Sequence, residues 1–283
     1  MRVAIIDGTG AADDTAYFKE MKFSFCSMAA RQLGPRKSYY QRGPSNDGRQ
    51  VGRKARRAAK FLRNAKYQNE AMPIYLMGYS RGASIAIMAA EELQQDGINV
   101  DGLFMFDCVA RHPFKGGTSV PGNVLRTWHA MRTDDEKLIK KYAGMASPHI
   151  PLPKASGNPM RPWFGHAGTK AKSPKALNYS EKVFPGSHGA IGGVGWRFVA
   201  EDVACQNAVA AWMNVAFKTA GIGVTLKPVK PAGTPTQGSS TAPVHKASGP
   251  WVKPPSVAGP LLGKPKPLSK SSIAPVTGTT QPN

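Results

Sequence analysis

Gly78-Tyr79-Ser80-Arg81-Gly82 carries the clearest chemistry in this chain. The run Ile74-Tyr75-Leu76-Met77 precedes it, and the small-residue stretch Ala83 to Leu93 follows. A serine at such a strand-to-helix turn is held out of the sheet, and the flanking glycines leave room for the sharp turn and a close helix. A hydroxyl alone is a poor nucleophile. It needs a base to take its proton, and the base needs a carboxylate to fix its tautomer. In the chain order serine, acid, histidine, the residues that follow supply Asp107 and His188. Asp107 comes directly after Leu103-Phe104-Met105-Phe106, so a strand delivers it to the active edge of a sheet. His188 sits in Gly186-Ser187-His188-Gly189-Ala190-Ile191-Gly192-Gly193, where glycines leave space for a substrate. The bland alternative for Ser80 is a helix cap at a tight turn.

Other residues fit these roles less well. Asp101 precedes its strand and should face the wrong end of the sheet, and Asp134 and Asp135 lie in a charged segment. His112, His129, His149 and His166 fall in loop or mixed sequence, and His245 is near the C-terminus. An oxyanion needs two converging backbone donors. The expected pair is the Arg81 N–H and an amide of the loop at Gly8 and Thr9. Asp7, Tyr79 and Gly189 are expected to brace loops or touch substrate. Asp7 should not face the oxyanion, because a carboxylate would repel it.

The elements that must position these groups alternate in type. Strands are expected at Arg2–Ile6, Ile74–Met77 and Gly102–Phe106, and helices at Ala83–Gln95 and Glu201–Lys218. A short apolar strand should lead into His188. This pattern predicts an α/β fold with a mostly parallel sheet covered by helices on both faces. The active groups should lie beyond the carboxyl ends of the strands. Residues 1–224 read as one catalytic domain. Residues 225–283, with 12 prolines, 7 lysines and no acidic residue, read as a disordered tail.

The chain has 283 residues, 41% of them hydrophobic, with 38 basic and 17 acidic residues and a net charge of +21. Such a charge favours anionic partners without choosing among them. The segment Arg49 to Lys66 fits a basic amphipathic helix that either faces an anionic surface or is simply solvated. Cys26, Cys108 and Cys205 have no metal-ligand spacing, and no cofactor or metal is expected. The N-terminus turns acidic too quickly for a signal peptide, and no run of 18 apolar residues exists. The expectation is therefore a cytoplasmic protein, or one exported without such a peptide, and no transmembrane segment.

These motifs together resemble a family of uncharacterised bacterial α/β-hydrolase domains that includes the catalytic domains of type VI secretion phospholipase effectors. The resemblance rests on Ile5-Ile6-Asp7-Gly8-Thr9-Gly10, the elbow Gly78 to Ala83, and Phe106-Asp107-Cys108-Val109. It also rests on His129-Ala130 with Asp134-Asp135, the segment Gly186 to Gly193, and the closing Ala211-Trp212-Met213. Ala190 departs from it, standing where that family has an aspartate. The resemblance implies a serine esterase with Ser80 as nucleophile and His188 as base, acting on phospholipid or another lipid ester. The partners it suggests are a lipid ester or an anionic membrane surface, with a protein or other anionic partner for the tail. Two alternatives stay open: a soluble short-chain esterase, and a nucleic-acid-binding or scaffold protein on an inactive hydrolase fold.

Overall fold

In the computed structural model, residues 1–45, 50–110, 116–133, 178–195 and 199–231 are described. His112, Asp134, Asp135, His149, His166, His245 and the tail beyond residue 231 lie outside them.

The described strands are β1 (Arg2–Ile6), β2 (Ser38–Gln41), β3 (Ile74–Tyr79), β4 (Gly102–Phe106), β5 (Thr127–Arg132) and β6 (Tyr179–Phe184). They form one parallel sheet in the order β2-β1-β3-β4-β5-β6. Every residue of β3 and β4 is buried. Burial on both faces is why these two strands read as unbroken apolar runs instead of alternating ones.

Helices α1 (Asp14–Glu20), α2 (Phe25–Lys37), α3 (Val51–Gln68), α4 (Arg81–Gln95), α5 (His188–Gly192) and α6 (Ala200–Thr219) complete the described elements, with a 3-10 turn at Met21–Phe23. Strand parity sorts the core into two layers. Val3, Ile5, Tyr75, Met77, Phe104 and Phe106 pack on one face with α2 and α6. Ala4, Ile6, Ile74, Leu76, Leu103 and Met105 pack on the other with α3 and α4. The fold is thus α/β-hydrolase-like, with helices on both sides of the sheet, as the alternation of elements predicts.

The basic helix begins at Val51, two residues after the first arginine of the expected segment. Its small apolar residues Ala55, Ala58, Ala59, Leu62 and Ala65 are buried, and Arg53, Arg56, Arg57 and Lys60 are exposed. Lys54 is an exception, with its ammonium donating to the Arg42 carbonyl at 2.8 Å. Burial, helped by the cations Arg42, Arg57 and Arg53, pushes Lys54 down to about 8.

Residues 225–231, grouped with the tail by composition, run along α6. The Gln32 side chain accepts from the Thr225 N–H and donates to its carbonyl, both at 2.9 Å. Asn214 grips Leu226 in the same way at 2.7 and 3.0 Å, and Asn207 grips Val229 at 2.7 and 3.2 Å. The spacing explains the fit. Seven helical residues rise about 10.5 Å, and three extended residues span about 10 Å. Leu226 is buried at the start of this strap. Composition missed it because side-chain amides, not apolar periodicity, hold most of it in place.

The order β2-β1-β3 makes the chain switch direction between β1 and β3. Sheets of this kind bind ligands at such a switch point, beyond the carboxyl ends of the strands, and here the Asp7–Gly8 turn follows β1 and the Ser80 turn follows β3.

Candidate active site

The Ser80 turn is shaped by its two glycines. A Cβ on Gly78 would meet the backbone of Ala83, and one on Gly82 would collide with the carbonyls of Ile6 and Asp7. Any larger residue would push α4 away from β1 and β3. Ser80 itself sits at φ 57°, outside the comfortable range of an L-residue. Three backbone hydrogen bonds hold it there: Ser80 N–H to the Phe106 carbonyl at 2.9 Å, and the Ala83 and Val109 amides to the Ser80 carbonyl at 3.1 Å each. Among the described residues the other non-glycine with positive φ is Asp107, at 44°. The two strained residues therefore stand side by side, at the ends of the adjacent strands β3 and β4.

His188 lies between them. Its Nε2 is 2.8 Å from Ser80 Oγ, and its Nδ1 is 2.6 Å from Asp107 Oδ2. Asp107 is buried, and its N–H donates to the Ala130 carbonyl at 2.7 Å. With the proton on Nδ1 and donated to Asp107, Nε2 is left to accept from Ser80. The structure thus brings together the three residues picked from the sequence.

His188 opens the short helix α5, within the glycine-rich segment noted in the sequence. Ser187 caps that helix, accepting from the Ala190 N–H at 3.1 Å. The Ser187 N–H and hydroxyl both donate to the buried carboxylate of Asp202, at 3.0 and 2.7 Å. Asp202 belongs to the first turn of α6, so this helix anchors the histidine segment. Gly189 supports the same segment through its carbonyl, which accepts from the Val194 N–H at 2.8 Å. Tyr79 sits with its ring 5.0 Å from the imidazole and its hydroxyl donating to the His188 carbonyl at 3.2 Å. Ala190 is fully buried, and its neighbourhood holds the Asp202 carboxylate.

Arg132, the last residue of β5, was not anticipated. It is 1% exposed, and its Nη1 is ion-paired with Asp107 Oδ2. The same nitrogen lies 3.3 Å from His188 Nδ1. Burial alone would raise the Asp107 carboxyl. The Arg132 guanidinium and the His188 hydrogen bond overcome that effect and hold it well below the usual carboxylate range. His188 is shifted down chiefly by burial, with Asp107 opposing and Arg132 reinforcing. The sequence signal for Arg132 was the one used for Asp107, a charged residue directly at the end of a strand.

The first loop is held as tightly. Asp7 is buried and accepts from the Gly8 N–H at 2.8 Å, the Ser24 hydroxyl at 2.5 Å and the Tyr40 hydroxyl at 2.8 Å. Burial pushes it up to about 6 despite those bonds. The Tyr17 hydroxyl donates to the Gly8 carbonyl at 2.8 Å and accepts from the Gly43 N–H at 2.7 Å. Because Asp7 already takes the Gly8 amide, the expectation of Gly8 as an oxyanion donor gives way. The Thr9 N–H has no acceptor among the described residues.

His129, expected in loop or mixed sequence, is a buried residue of β5. Its Nε2 accepts from the Cys108 N–H at 3.1 Å, which steadies the turn after Asp107. Cys26, Cys108 and Cys205 are buried and free. Among the described residues no helix is long and apolar enough to cross a membrane, and no cluster of His, Cys, Asp or Glu is arranged to hold a metal ion.

A parallel α/β sheet bearing a strained serine, a histidine and a buried carboxylate at its carboxyl edge is the arrangement that serine-hydrolase chemistry requires. A family model for the thioesterase domain matches residues 39–144, a span that includes Ser80 and Asp107. Among solved structures, the NocB thioesterase domain from the nocardicin cluster is 11% identical, with 77% of this chain and 95% of that one covered and a TM-score of 0.39. The type II thioesterase BorB from the borrelidin cluster is 14% identical, over 78% and 92%, with a TM-score of 0.35. Aspergillus fumigatus lipase B is 12% identical, over 81% and 57%, with a TM-score of 0.36. No curated protein matches the chain. The fold assignment rests on the strand order and the serine turn, not on these overlaps.

The thioesterase match overturns the resemblance to the family of phospholipase effectors. The physical reason lies in the motifs that carried it. A loop after the first strand, a glycine-flanked serine, a strand-end aspartate and a histidine turn are what any hydrolase of this fold requires. They do not separate one family from another, and Ala190 departs from that family's pattern.

Proposed function

We propose that this protein hydrolyses an acyl thioester or ester through an acyl-enzyme on Ser80, with His188 as base and Asp107 as its orienting acid. The observation that carries this reading is the continuous hydrogen-bonded path Ser80–His188–Asp107, at 2.8 and 2.6 Å. His188 Nε2 takes the serine proton as Oγ attacks the acyl carbon. The amides of Arg81 and Thr9 hold the oxyanion, and the dipole of α4 helps them. As the bond to the leaving thiolate or alkoxide breaks, His188 hands its proton to that group. Water then attacks the acyl-enzyme and gives a proton to His188, which passes it to Ser80 Oγ as the acyl–oxygen bond breaks and the acid leaves.

Thioester is the favoured substrate class because the thioesterase-domain match includes the nucleophile turn. A phospholipid or other lipid ester keeps only the support of positive charge, and a soluble short-chain ester fits the same chemistry. Mass-spectrometric mapping of a fluorophosphonate adduct tests the core reading. A single adduct on Ser80, lost in Ser80→Ala and His188→Ala, is expected. An unlabelled parent protein, or an adduct elsewhere, refutes it. Parallel assays with an acyl thioester, a short-chain ester and phospholipid vesicles then rank the substrates.

The nucleic-acid-binding alternative retains one specific observation, the exposed row Arg53, Arg56, Arg57 and Lys60 on α3. Salt-dependent DNA binding that survives Ser80→Ala, in a protein with no labelling and no esterase activity, would favour it.

A further inference from the structure

We propose that Arg132 is a fourth member of the site, a positioning residue that holds Asp107 toward His188 and keeps the imidazole in its neutral, proton-accepting form. This rests on the serine-hydrolase reading and extends it. A histidine that hydrogen-bonds a buried carboxylate ordinarily becomes easier to protonate, because the anion favours imidazolium. Here the anion already has a cation. Among the described residues Arg132 is the largest side chain with no more than trace exposure, and it is ion-paired with the same Asp107 oxygen that accepts from His188 Nδ1. Its Nη1 also stands 3.3 Å from His188 Nδ1. Once Nδ1 carries a proton for Asp107, it cannot accept from the guanidinium. That close approach is therefore a like-charge contact whenever the ring is protonated.

Among the described residues, the other groups around His188 do not replace this charge. Tyr79 from β3 contacts the ring and the carbonyl, and Ser80 contacts Nε2. Asp202 from α6 is spent on the Ser187 N–H and hydroxyl, and Cys205 is buried with its thiol shifted up by burial. Among the described residues, Arg132 is thus a cation in contact with both members of the Asp107–His188 pair. Its backbone N–H also approaches Asp107 Oδ1 at 3.4 Å, so residue and carboxylate are held in register by two contacts.

The test is the rate of Ser80 labelling by a fluorophosphonate from roughly pH 4 to pH 9, in the parent, Arg132→Lys and Arg132→Gln. The acid limb of that profile reports the free enzyme's base. The expected parent midpoint lies below the ordinary histidine value of about 6.5. Arg132→Gln should raise it by about 1 pH unit or more, as expected for removing a cation within contact of the ring. Arg132→Lys, which keeps the charge, should return it toward the parent. If folded Arg132→Gln is slowed equally at all pH values with an unmoved midpoint, Arg132 is merely structural and the proposal is overturned. If Arg132→Gln does not fold, NMR titration of the His188 ring in Asp107→Asn and in the double variant Asp107→Asn, Arg132→Met decides. A higher midpoint in the double variant supports the proposal, and equal midpoints overturn it. An unlabelled parent protein would instead refute the hydrolase reading, so the two failures are distinguishable.

Discussion

Replacing Asp107 with asparagine should cost stability as well as reactivity, and the two losses should be separable. The side chains of Asp107 and Arg132 both have no solvent exposure. For charges about 4 Å apart at an effective dielectric near 20, Coulomb attraction is about 4 kcal/mol. Removing one partner of a buried pair strands the other, which costs about 3–5 kcal/mol. The introduced amide can still accept one hydrogen bond from the guanidinium, so the expected loss is about 3 kcal/mol, the lower end of that range. The double variant Asp107→Asn, Arg132→Met removes both charges and should recover most of it, with a coupling of about 2 kcal/mol or more. Urea denaturation of the four proteins at neutral pH measures this. The pH dependence has a definite sign. The Asp107 carboxyl is lowered in the folded state, so its contribution is complete above the unfolded value of about 3.9. That contribution is lost only as pH falls through the lower folded value, and the gap between parent and single variant should stay constant from about pH 5 to pH 8. Reactivity follows another path. An amide cannot fix the histidine tautomer as a carboxylate does, so Ser80 labelling should fall by about 10⁴ in both variants. A single variant destabilised by less than about 1 kcal/mol, or a double variant as unstable as the sum of the singles, would refute the buried-pair reasoning.

Three further outcomes are expected. Asp7, raised to about 6 in the folded state, keeps its proton more tightly than in the unfolded chain. Stability should therefore fall as pH rises through roughly 4 to 6, by about 3 kcal/mol in all, and Asp7→Asn should flatten that slope in thermal melts. Gly82→Ala places a methyl group against the Ile6 and Asp7 carbonyls and should cost at least about 1–3 kcal/mol, with slower Ser80 labelling. A wild-type melting temperature would mean that α4 does not approach β1 so closely. Ending the chain after Val224 instead of Pro231 removes buried Leu226 and the amide clamps from Asn207 and Asn214. Urea unfolding of the two truncations should differ by about 2–4 kcal/mol, and equal midpoints would show that the strap adds no stability.

Legibility followed the range of the interaction concerned. Strands β3 and β4 were visible because they are buried on both faces and so are continuously apolar. The serine turn was visible because Gly78 answers a local contact, with Ala83 five residues on, and Gly82 completes the pattern, although its own close contact is with the distant end of β1. Asp107 was visible because a strand must end somewhere, and a charge at that end is informative. Arg132 met the same rule, but residues 127–132 mix Thr, His and Arg among apolar ones, so β5 itself was not recognised. The commitment of the Gly8 amide to Asp7 had no signal, because a carboxylate next to a glycine bends either way. Asp202 lies in the first turn of a helix, where an acid is unremarkable in sequence, although its partner lies fifteen residues earlier in the chain.

From sequence alone came strands β1, β3 and β4, helices α3, α4 and α6, the two-sided packing and the chemical types near the sheet edge. Those follow from hydrophobic periodicity and backbone stereochemistry, which act over a few residues. Only the folded chain decided which groups touch: that Arg132 shares an oxygen of Asp107 with His188, that Asp202 holds the histidine segment, and that three amide side chains bind residues 225–229. Each of these joins segments distant in the chain. The energy of such a contact depends on burial and on distances of a few ångströms, which the linear order of residues does not encode.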